Sequence, residues 1–220
     1  MRPVAGRSYR QFCAVASALD TIGERWTLLI VRELLTGPKR YSDLLDGLPG
    51  IPTDMLAARL RRLEDEGLVG REVLPPPAAS KVYVLTGSGL SLEPVIAALA
   101  RWGMTRLPSK RQGESRLHWL KVGLQSLFVR SAAKRLELTV DFRLPDGRLR
   151  AVIHRGTLEF DEDPSDPADV VITGDAAAVT RLAVEPSTAD VAVEGDPDAI
   201  VALQRALGLD RTTPATDDVT

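Results

Sequence analysis

The sequence contains a single cysteine, Cys13, and only two histidines, His118 and His154, among its 220 residues. One cysteine excludes an intramolecular disulfide framework, and so few cysteines and histidines argue against a metal site. No apolar run approaches the roughly 18–20 residues that span a bilayer, so we expect no membrane partner. The opening stretch MRPVAGRSYRQF also lacks the apolar segment of a secretory signal, and we therefore expect a cytoplasmic protein.

The sequence motifs of common enzymes are missing as well. TGSGL, residues 86–90, is not a G-x-S-x-G elbow, and neither a P-loop nor G-x-G-x-x-G occurs. His154 falls in a predicted strand, where a polar surface residue is a better interpretation than a base. The acidic run DEDPSDPAD, residues 161–169, lacks the spacing and the glycine of an EF-hand loop. We expect no enzyme, no catalytic residue, no metal and no cofactor.

The charge is distributed unevenly along the chain. Residues 1–107 hold 14 Lys and Arg against 11 Asp and Glu, a net of +3, whereas residues 108–220 hold 14 against 19, a net of −5. The two halves therefore look like different modules. We predict domains at 1–107 and 114–209, a polar linker at 108–113 and a disordered tail at 210–220.

Helical periodicity dominates the first half. Four stretches have apolar residues at helical spacing: Phe12, Val15, Ala16 and Leu19; Trp26, Leu29, Ile30 and Leu34; Leu56, Leu60 and Leu63; Leu92, Val95, Ile96, Leu99 and Trp102. YSDLLDGLPG allows a short helix between the second and third of them, and LVGREVL with KVYVLT predicts a hairpin after the third. Helix, helix, short helix, helix, two-stranded wing, helix is the order of a winged helix-turn-helix domain.

The helix predicted from about Thr53 to Glu66 carries an ordered set of charges, RLRRLEDE. If its leucines face inward, Arg62 lies nearer the outside, with Arg59 and Arg61 on the flanks. Arginine side chains neutralise phosphates or form bidentate hydrogen bonds with the edge of a guanine base, and an α-helix fits the major groove. The alternative, a merely solvated helix, is less consistent with the wing and the flanking helices.

These residues also carry a family resemblance, from about Tyr9 to Leu107. The cysteine before the first helix, GERWTLLIVRELL, RYSDL and LPGIPTDMLAARLRRLE are similar to the HxlR-type family of bacterial transcription regulators. The resemblance implies a homodimer whose first and last domain helices pair across a two-fold axis on double-stranded operator DNA. It implies DNA contacts at Lys39, Arg40, Tyr41, Ser42, Thr53, Asp54, Ala57, Arg59, Arg62 and Lys81.

Two features depart from this expectation. Asp54 is acidic where a phosphate contact would favour a neutral or basic group, and the wing tip PPPAAS carries no charge before Lys81. Either difference predicts modest affinity or different base contacts.

Cys13 allows two interpretations. In some members of the family the matching cysteine senses oxidants or electrophiles, which makes Cys13 a candidate redox residue. A small apolar residue packed in the dimer helix is the alternative. Arg10, one turn away, would lower the thiol pKa, and one cysteine per chain leaves only an intersubunit or mixed disulfide.

The second half alternates between helices and strands. LHWLKVGLQSLFVRSAAKR predicts a helix, and LELTVDF, RLRAVIH, GTLEF, ADVVITG and ADVAVEG predict strands. DAAAVTRLAV and DPDAIVALQRALGL predict two more helices, which Asp175 and Asp196 would cap at their starts.

This order resembles the sterol-carrier-protein type of domain over about residues 114–209. DVVITGDAAAVTRL and VAVEGDPDAIVAL, each a strand ending in Gly-Asp before an amphipathic helix, carry the resemblance. It implies a curved sheet backed by helices around an apolar tunnel, with candidate pocket residues at Leu124, Leu127, Phe128 and Phe142. Ordinary core residues, in a domain that binds no ligand, are the alternative.

The predicted fold class is therefore α+β, an N-terminal winged helix-turn-helix followed by a sterol-carrier-like mixed sheet with helices. The function hypothesis is a dimeric DNA-binding transcription repressor whose second half is a candidate site for a hydrophobic small-molecule effector. The alternative is a lipid-carrier or partner-binding module whose winged helix serves mainly for dimerisation.

Overall fold

A computed structural model describes residues 8–77, 79–107, 116–161, 165–183 and 190–209. The chain divides into two compact units, residues 1–96 (the first unit) and 97–220 (the second unit). The predicted linker, 108–113, and the predicted tail, 210–220, lie outside the described residues. The predicted domain boundaries therefore stay a prediction.

The first unit follows the predicted element order. Its elements are α1 Ala14–Ile22, α2 Thr27–Leu35, α3 Tyr41–Gly47, α4 Thr53–Asp65, β1 Val69–Val73, β2 Lys81–Leu85, α5 Gly87–Leu90 and the start of α6 Glu93–Met104. β1 and β2 form an antiparallel hairpin with Val69 opposite Leu85. The stretch GSGLSLEPVIAALARWG, residues 87–103, predicts one long final helix. The structure instead divides it into the short helix α5 and the longer α6.

The core of the first unit contains the predicted leucine stripe of α4. Leu56, Leu60 and Leu63 are fully buried, as the i, i+4, i+7 spacing predicted. In α2, Ile30 and Leu34 are buried, but the prediction that Leu29 faces inward is wrong because Leu29 lies on the exposed side.

Two helices leave apolar side chains in solvent. In and before α1 these are Phe12, Val15 and Leu19, and in α6 they are Val95, Leu99 and Trp102. Ala16 and Ile96 are the buried members of the two predicted faces. The periodicity located the apolar stripes correctly, but each stripe is only partly covered within one chain.

The base of the wing is tightly packed around Gly89 of α5. The Thr86 hydroxyl accepts from the Gly89 N–H at 3.1 Å, and the Thr86 N–H donates to the Leu68 carbonyl at 3.0 Å. A Cβ at position 89 would overlap that carbonyl oxygen and lie 3.0 Å from Leu85 Cδ2. The residue therefore has to be glycine because backbone, not a movable side chain, occupies the space.

Gly89→Ala should accordingly lower the free energy of unfolding by about 1–3 kcal/mol, the usual cost of overpacking. Gly87→Ala, in the same short helix, is the matched control because a Cβ there meets nothing within 4 Å. Urea denaturation of both variants checks this, and equal stability of the two would contradict the packing argument.

The second unit is a mixed five-stranded sheet with helices. Its elements, after the end of α6, are α7 Leu117–Leu127, β3 Glu137–Leu144, β4 Gly147–His154, β5 Thr157–Asp161, β6 Val170–Thr173, α8 Ala176–Arg181, β7 Ala192–Gly195 and α9 Pro197–Ala206. The strand order is β5-β4-β3-β6-β7, antiparallel except for the parallel β3–β6 pair. The mixed α+β class agrees with the prediction, whereas its sterol-carrier-like character stays a prediction.

Strand alternation and helix caps agree with the sequence. Leu138, Val140 and Phe142 on β3 are buried against the helices. The Asp175 carboxylate accepts from Ala178 N–H at 2.8 Å, and Asp196 accepts from Asp198 N–H at 2.7 Å. Both predicted caps are confirmed.

The other face of the sheet contains a buried ion pair. Asp141 on β3 is 0% exposed and Arg150 on β4 is 5% exposed. Arg150 donates from Nε to Asp141 Oδ1 at 2.7 Å, and Arg148 pairs with the same carboxylate. Alternation placed both residues off the apolar face, but did not indicate that they would be buried.

Candidate functional site

The start of α3, the wing and the start of α4 are tied together by two contacts. Lys39 and Tyr83 of β2 exchange backbone hydrogen bonds of 3.1 and 2.7 Å. The Tyr41 hydroxyl donates to the carbonyl of Thr53 at 2.7 Å. The segment with sequence KRYS is therefore fixed both to the wing and to the first residue of α4.

The predicted contact residues of the first unit differ in exposure. Exposed ones are Arg40, Ser42, Thr53, Asp54 and Lys81, while Lys39, Tyr41, Ala57, Arg59 and Arg62 are half-buried. Asp54 lies in the first turn of α4, where a carboxylate stabilises the positive end of the helix dipole. Asp54 therefore stabilises the start of α4, a structural role that the sequence alone did not indicate.

Arg59 and Arg62 are engaged inside the first unit. Both form ion pairs with Glu24, which lies between α1 and α2, with Arg62 Nη1 2.6 Å from Glu24 Oε1. Arg59 Nε also donates to the Arg25 carbonyl at 3.2 Å, and Arg62 donates to the Asp20 carbonyl. We call this arrangement of Glu24, Arg59 and Arg62 the Glu24 clamp. It joins α4 to the α1–α2 connection.

The Glu24 clamp contacts a strained segment of the backbone between α1 and α2. Trp26, directly before α2, has φ of +78°, in the left-handed region that non-glycine residues seldom adopt. Arg25, whose carbonyl the clamp holds, lies over the Trp26 ring at 5.2 Å. Contacts from α4 thus help to fix this turn.

The acids at the end of α4 have a partner in the wing. Glu64 Oε1 lies 2.6 Å from Arg71 Nε on β1, and Arg71 lies over the Tyr83 ring at 5.3 Å. Glu64, the first of these acids, thus attaches the wing to α4.

Cys13 is exposed at the N-cap of α1. Hydrogen bonding from the backbone N–H groups of Ala16 and Val15 lowers the pKa of the Cys13 thiol. The cause is the first turn of the helix and not Arg10, which the sequence suggested.

Cys13 should therefore react with iodoacetamide along a pH profile whose midpoint lies below about 8.5, the ordinary thiol value. Its thiolate form accepts hydrogen bonds from α1, so it persists to lower pH. Mass spectrometry of the alkylated chain measures the profile, and Cys13→Ser is the blank because no second cysteine exists. A midpoint at or above that of glutathione would contradict the effect of the helix amides.

The second unit contains an apolar cavity of about 150 Å³. Of the four candidate pocket residues, Leu124, Leu127 and Phe142 line this cavity and Phe128 is not among the described lining residues; ligand binding by any of them stays a prediction. α7 ends at Leu127, and Phe128 turns into extended backbone, where it packs against the core instead. The described lining also includes residues the sequence did not single out: Met104, Leu120, Gly123, Ile172, Val179, Thr180, Leu182, Ala183, Val193, Ile200, Leu203, Gln204, Leu207 and Leu209.

Among the described residues, no group of three His, Cys, Asp or Glu side chains is placed to hold a metal ion. No helix in the described ranges is both long enough and apolar enough to cross a bilayer.

Sequence reasoning missed two elements of these sites. Glu24 lies within GERWTLLIVRELL, and the signal for its role is the pair of arginines three positions apart on α4, Arg59 and Arg62, which favours a nearby acid. Gly123 is the second, and its signal is a glycine inside a predicted amphipathic helix, a position where glycine usually has a packing or functional reason.

Comparisons with known proteins agree with the first unit. The model of the HxlR-like helix-turn-helix family matches residues 21–111. HTH-type transcriptional regulator YodB of Bacillus subtilis is 38% identical over 86 residues, 39% of this chain and 77% of that one. An uncharacterized HTH-type transcriptional regulator of Synechocystis, sll1512, is 37% identical over 91 residues, 41% of this chain and 67% of that one. The solved reduced form of YodB from B. subtilis aligns at 33% identity and a TM-score of 0.39, covering 46% of this chain and all of that one.

Proposed function

This chain belongs to the HxlR-like helix-turn-helix family, and we propose that it is a homodimeric repressor that binds operator DNA through its first unit. The observation that carries the proposal is the junction of α3, the wing and α4, where exposed basic residues meet the start of the helix-turn-helix's second helix. α4 would enter the major groove with Thr53, Asp54 and Ala57 near base edges. Lys39, Arg40, Tyr41, Ser42 and Lys81 would contact the backbone, which fixes register.

A homodimer is the second part of the proposal. The exposed apolar side chains of α1 and α6, among them Val15, Leu19 and Trp102, support it because large apolar faces of this kind are usually covered in an assembly. A two-fold pair would place two copies of α4 on a pseudo-palindromic site. A chain that sediments as a monomer at assay concentrations would contradict this part.

An effector role of the second unit is the third part. We propose that the apolar cavity accepts a hydrophobic molecule and that α6 transmits its presence, since α6 begins in the first unit and its last residue, Met104, lines the cavity. Arg101 of α6 also donates to the Ser126 carbonyl of α7 at 2.7 Å. A ligand changes the DNA-competent population only if it binds the two states with different affinity.

Arg59 and Arg62 are proposed to act first as positioning residues. Both guanidinium groups are held by the Glu24 clamp, which supports a role in orienting α4 rather than in contacting phosphate. Direct DNA contact by these two residues stays a prediction that the variants in the Discussion separate.

The DNA-binding part is tested with Arg40→Ala and Lys81→Ala, two exposed cations on different elements. Each lost phosphate contact should reduce the slope of log affinity against log salt by about 0.9, so each substitution, present in both protomers of the dimer, should reduce it by about 1.8. Arg155→Ala, an exposed arginine of the second unit, is the control with the same change of charge. Electrophoretic shifts over a salt series measure the slopes, and unchanged slopes in both test variants would remove these residues from the interface.

The carrier alternative makes a different prediction for the same series. Uptake of an apolar ligand is nearly independent of salt, whereas phosphate neutralisation is not. Only weak, sequence-independent DNA binding together with ligand uptake would favour the carrier.

A further inference from the structure

The cavity of the second unit is built from uncharged residues. α7, β3, β6, α8, β7, α9 and the end of α6 contribute to it, and none of the described lining residues carries a charge. Thr180 and Gln204 are its polar side chains, and the Thr180 hydroxyl is already bonded to the Ala176 carbonyl at 2.7 Å. Burial of a charged ligand group there would find no opposite charge, which excludes fatty-acid carboxylates and ammonium compounds with the charge inside.

One residue keeps part of this space open. Gly123 lies in the middle of α7 and lines the cavity, and a Cβ added there would meet nothing within 4 Å. Glycine is among the least favourable residues in a helix interior, and protein interiors are normally filled to high density. Neither backbone conformation nor close packing requires glycine at 123, because its φ is not in the left-handed region and the space beside it is empty. What the glycine preserves is the space itself.

The volume limits what fits. A dry cavity of about this size, lined by Leu, Ile and Phe, takes a single ring such as benzene, or xenon. The fused skeleton of a sterol or a long acyl chain is larger than about 150 Å³. The size therefore differs from that of the lipid tunnel which the resemblance of this half implied.

We propose that the cavity is a binding site for a compact, uncharged apolar molecule of about the size of one six-membered ring, and that Gly123 holds it open. This inference rests on the proposed effector role of the second unit and names its ligand class. The site is selective by volume, with the missing side chain at position 123 as its determinant.

The test uses the full chain with toluene as the probe and cholesterol as the oversized comparator. Isothermal titration calorimetry and the ligand-induced rise in Tm should show saturable toluene binding to the wild type and none for cholesterol. Gly123→Leu should weaken toluene binding by about tenfold or more, since its side chain occupies the apolar space. Gly123→Ala should weaken it less while raising the Tm of the unliganded chain.

Gly103→Leu is the matched control. Gly103 is also a helical glycine with nothing within 4 Å of a built Cβ, but it is not among the described lining residues. The Gly103→Leu variant should therefore bind toluene as tightly as the wild type does. Circular dichroism confirms that each variant is folded, and Gly123→Ala keeps the test valid should Gly123→Leu not fold.

Several outcomes would overturn the proposal: no saturable toluene binding by the wild type, equal binding by wild type and both Gly123 variants, or cholesterol binding that excludes toluene. DNA binding is measured separately on the same samples. Toluene binding without any effect on DNA affinity would refute the effector role while leaving the site intact, so the two failures are distinguishable.

Discussion

Replacing Arg150 by methionine should lower the free energy of unfolding of the second unit by about 3 kcal/mol or more at neutral pH. Asp141 is fully buried, and Arg150 gives its carboxylate hydrogen bonds of 2.7 Å to Oδ1 and 3.2 Å to Oδ2. Methionine preserves most of the side-chain volume but leaves the buried Asp141 carboxylate with Arg148 as its one remaining cation among the described residues. The Arg150 bond to the Asp166 carbonyl, 2.5 Å, is lost as well.

The pH dependence of the free energy of unfolding follows from the same pair, Asp141 and Arg150. Burial by itself raises the pKa of Asp141, but the hydrogen bonds and charges of Arg150 and Arg148 outweigh it and hold that pKa below its usual range. A carboxyl whose folded pKa is depressed stabilises the fold fully above its unfolded pKa, about 3.9, and loses that contribution as the pH falls through the folded pKa. The difference in free energy of unfolding between the wild type and Asp141→Asn should therefore shrink once the pH drops below about 4.

Hydrogen-exchange mass spectrometry during urea unfolding assigns the effect to β3 and β4. Arg155→Met is the control, because Arg155 and Glu137 form an exposed pair and should matter by less than about 1 kcal/mol. Equal stabilities of Arg150→Met and Arg155→Met would show that the Asp141 pair does not stabilise the sheet.

The Arg59→Ala plus Arg62→Ala double variant should lower operator affinity by about a hundredfold, because α4 loses its charge-assisted attachment to the α1–α2 connection. If the two arginines act as positioning residues, the salt slope of binding stays nearly that of the wild type. If instead they neutralise phosphates, the slope falls by about 3.6, or 0.9 for each of the four contacts that the two protomers lose.

The Glu24→Gln variant changes the acidic member of the Glu24 clamp. It distinguishes the same two alternatives, a positioning role of the two arginines and direct phosphate contact. The clamp predicts weaker DNA binding for Glu24→Gln as well, since its amide cannot form the two ion pairs. Direct phosphate contact predicts equal or tighter binding, because both guanidinium groups are released from an acid. Electrophoretic shifts at three salt concentrations decide between them.

The sequence predicted those features that depend on local spacing. The i, i+4, i+7 leucines of α4 are buried, the alternation of β3 places Phe142 in the core, and Asp175 caps α8. Each is settled by a few neighbouring residues whose side chains must share a face or reach a nearby amide.

Features that depend on distant residues could not be predicted in this way. Arg62 meets Glu24 across 38 positions, so the spacing within α4 left it on the outside. The stripe of Phe12, Val15 and Leu19 is apolar by periodicity, but periodicity does not say whether the same chain covers it. The described residues that line the cavity near Gly123 come from seven elements, and no local pattern gives its volume.

The measurement that tests the central claim most directly is the binding of the full chain to the DNA upstream of its own gene, compared with scrambled DNA of equal length, over a range of salt. The account predicts tighter binding to the natural sequence, with an affinity that falls steeply as salt rises. Equal, weak binding to both DNAs would contradict a sequence-specific regulator and would favour the carrier or partner-binding module.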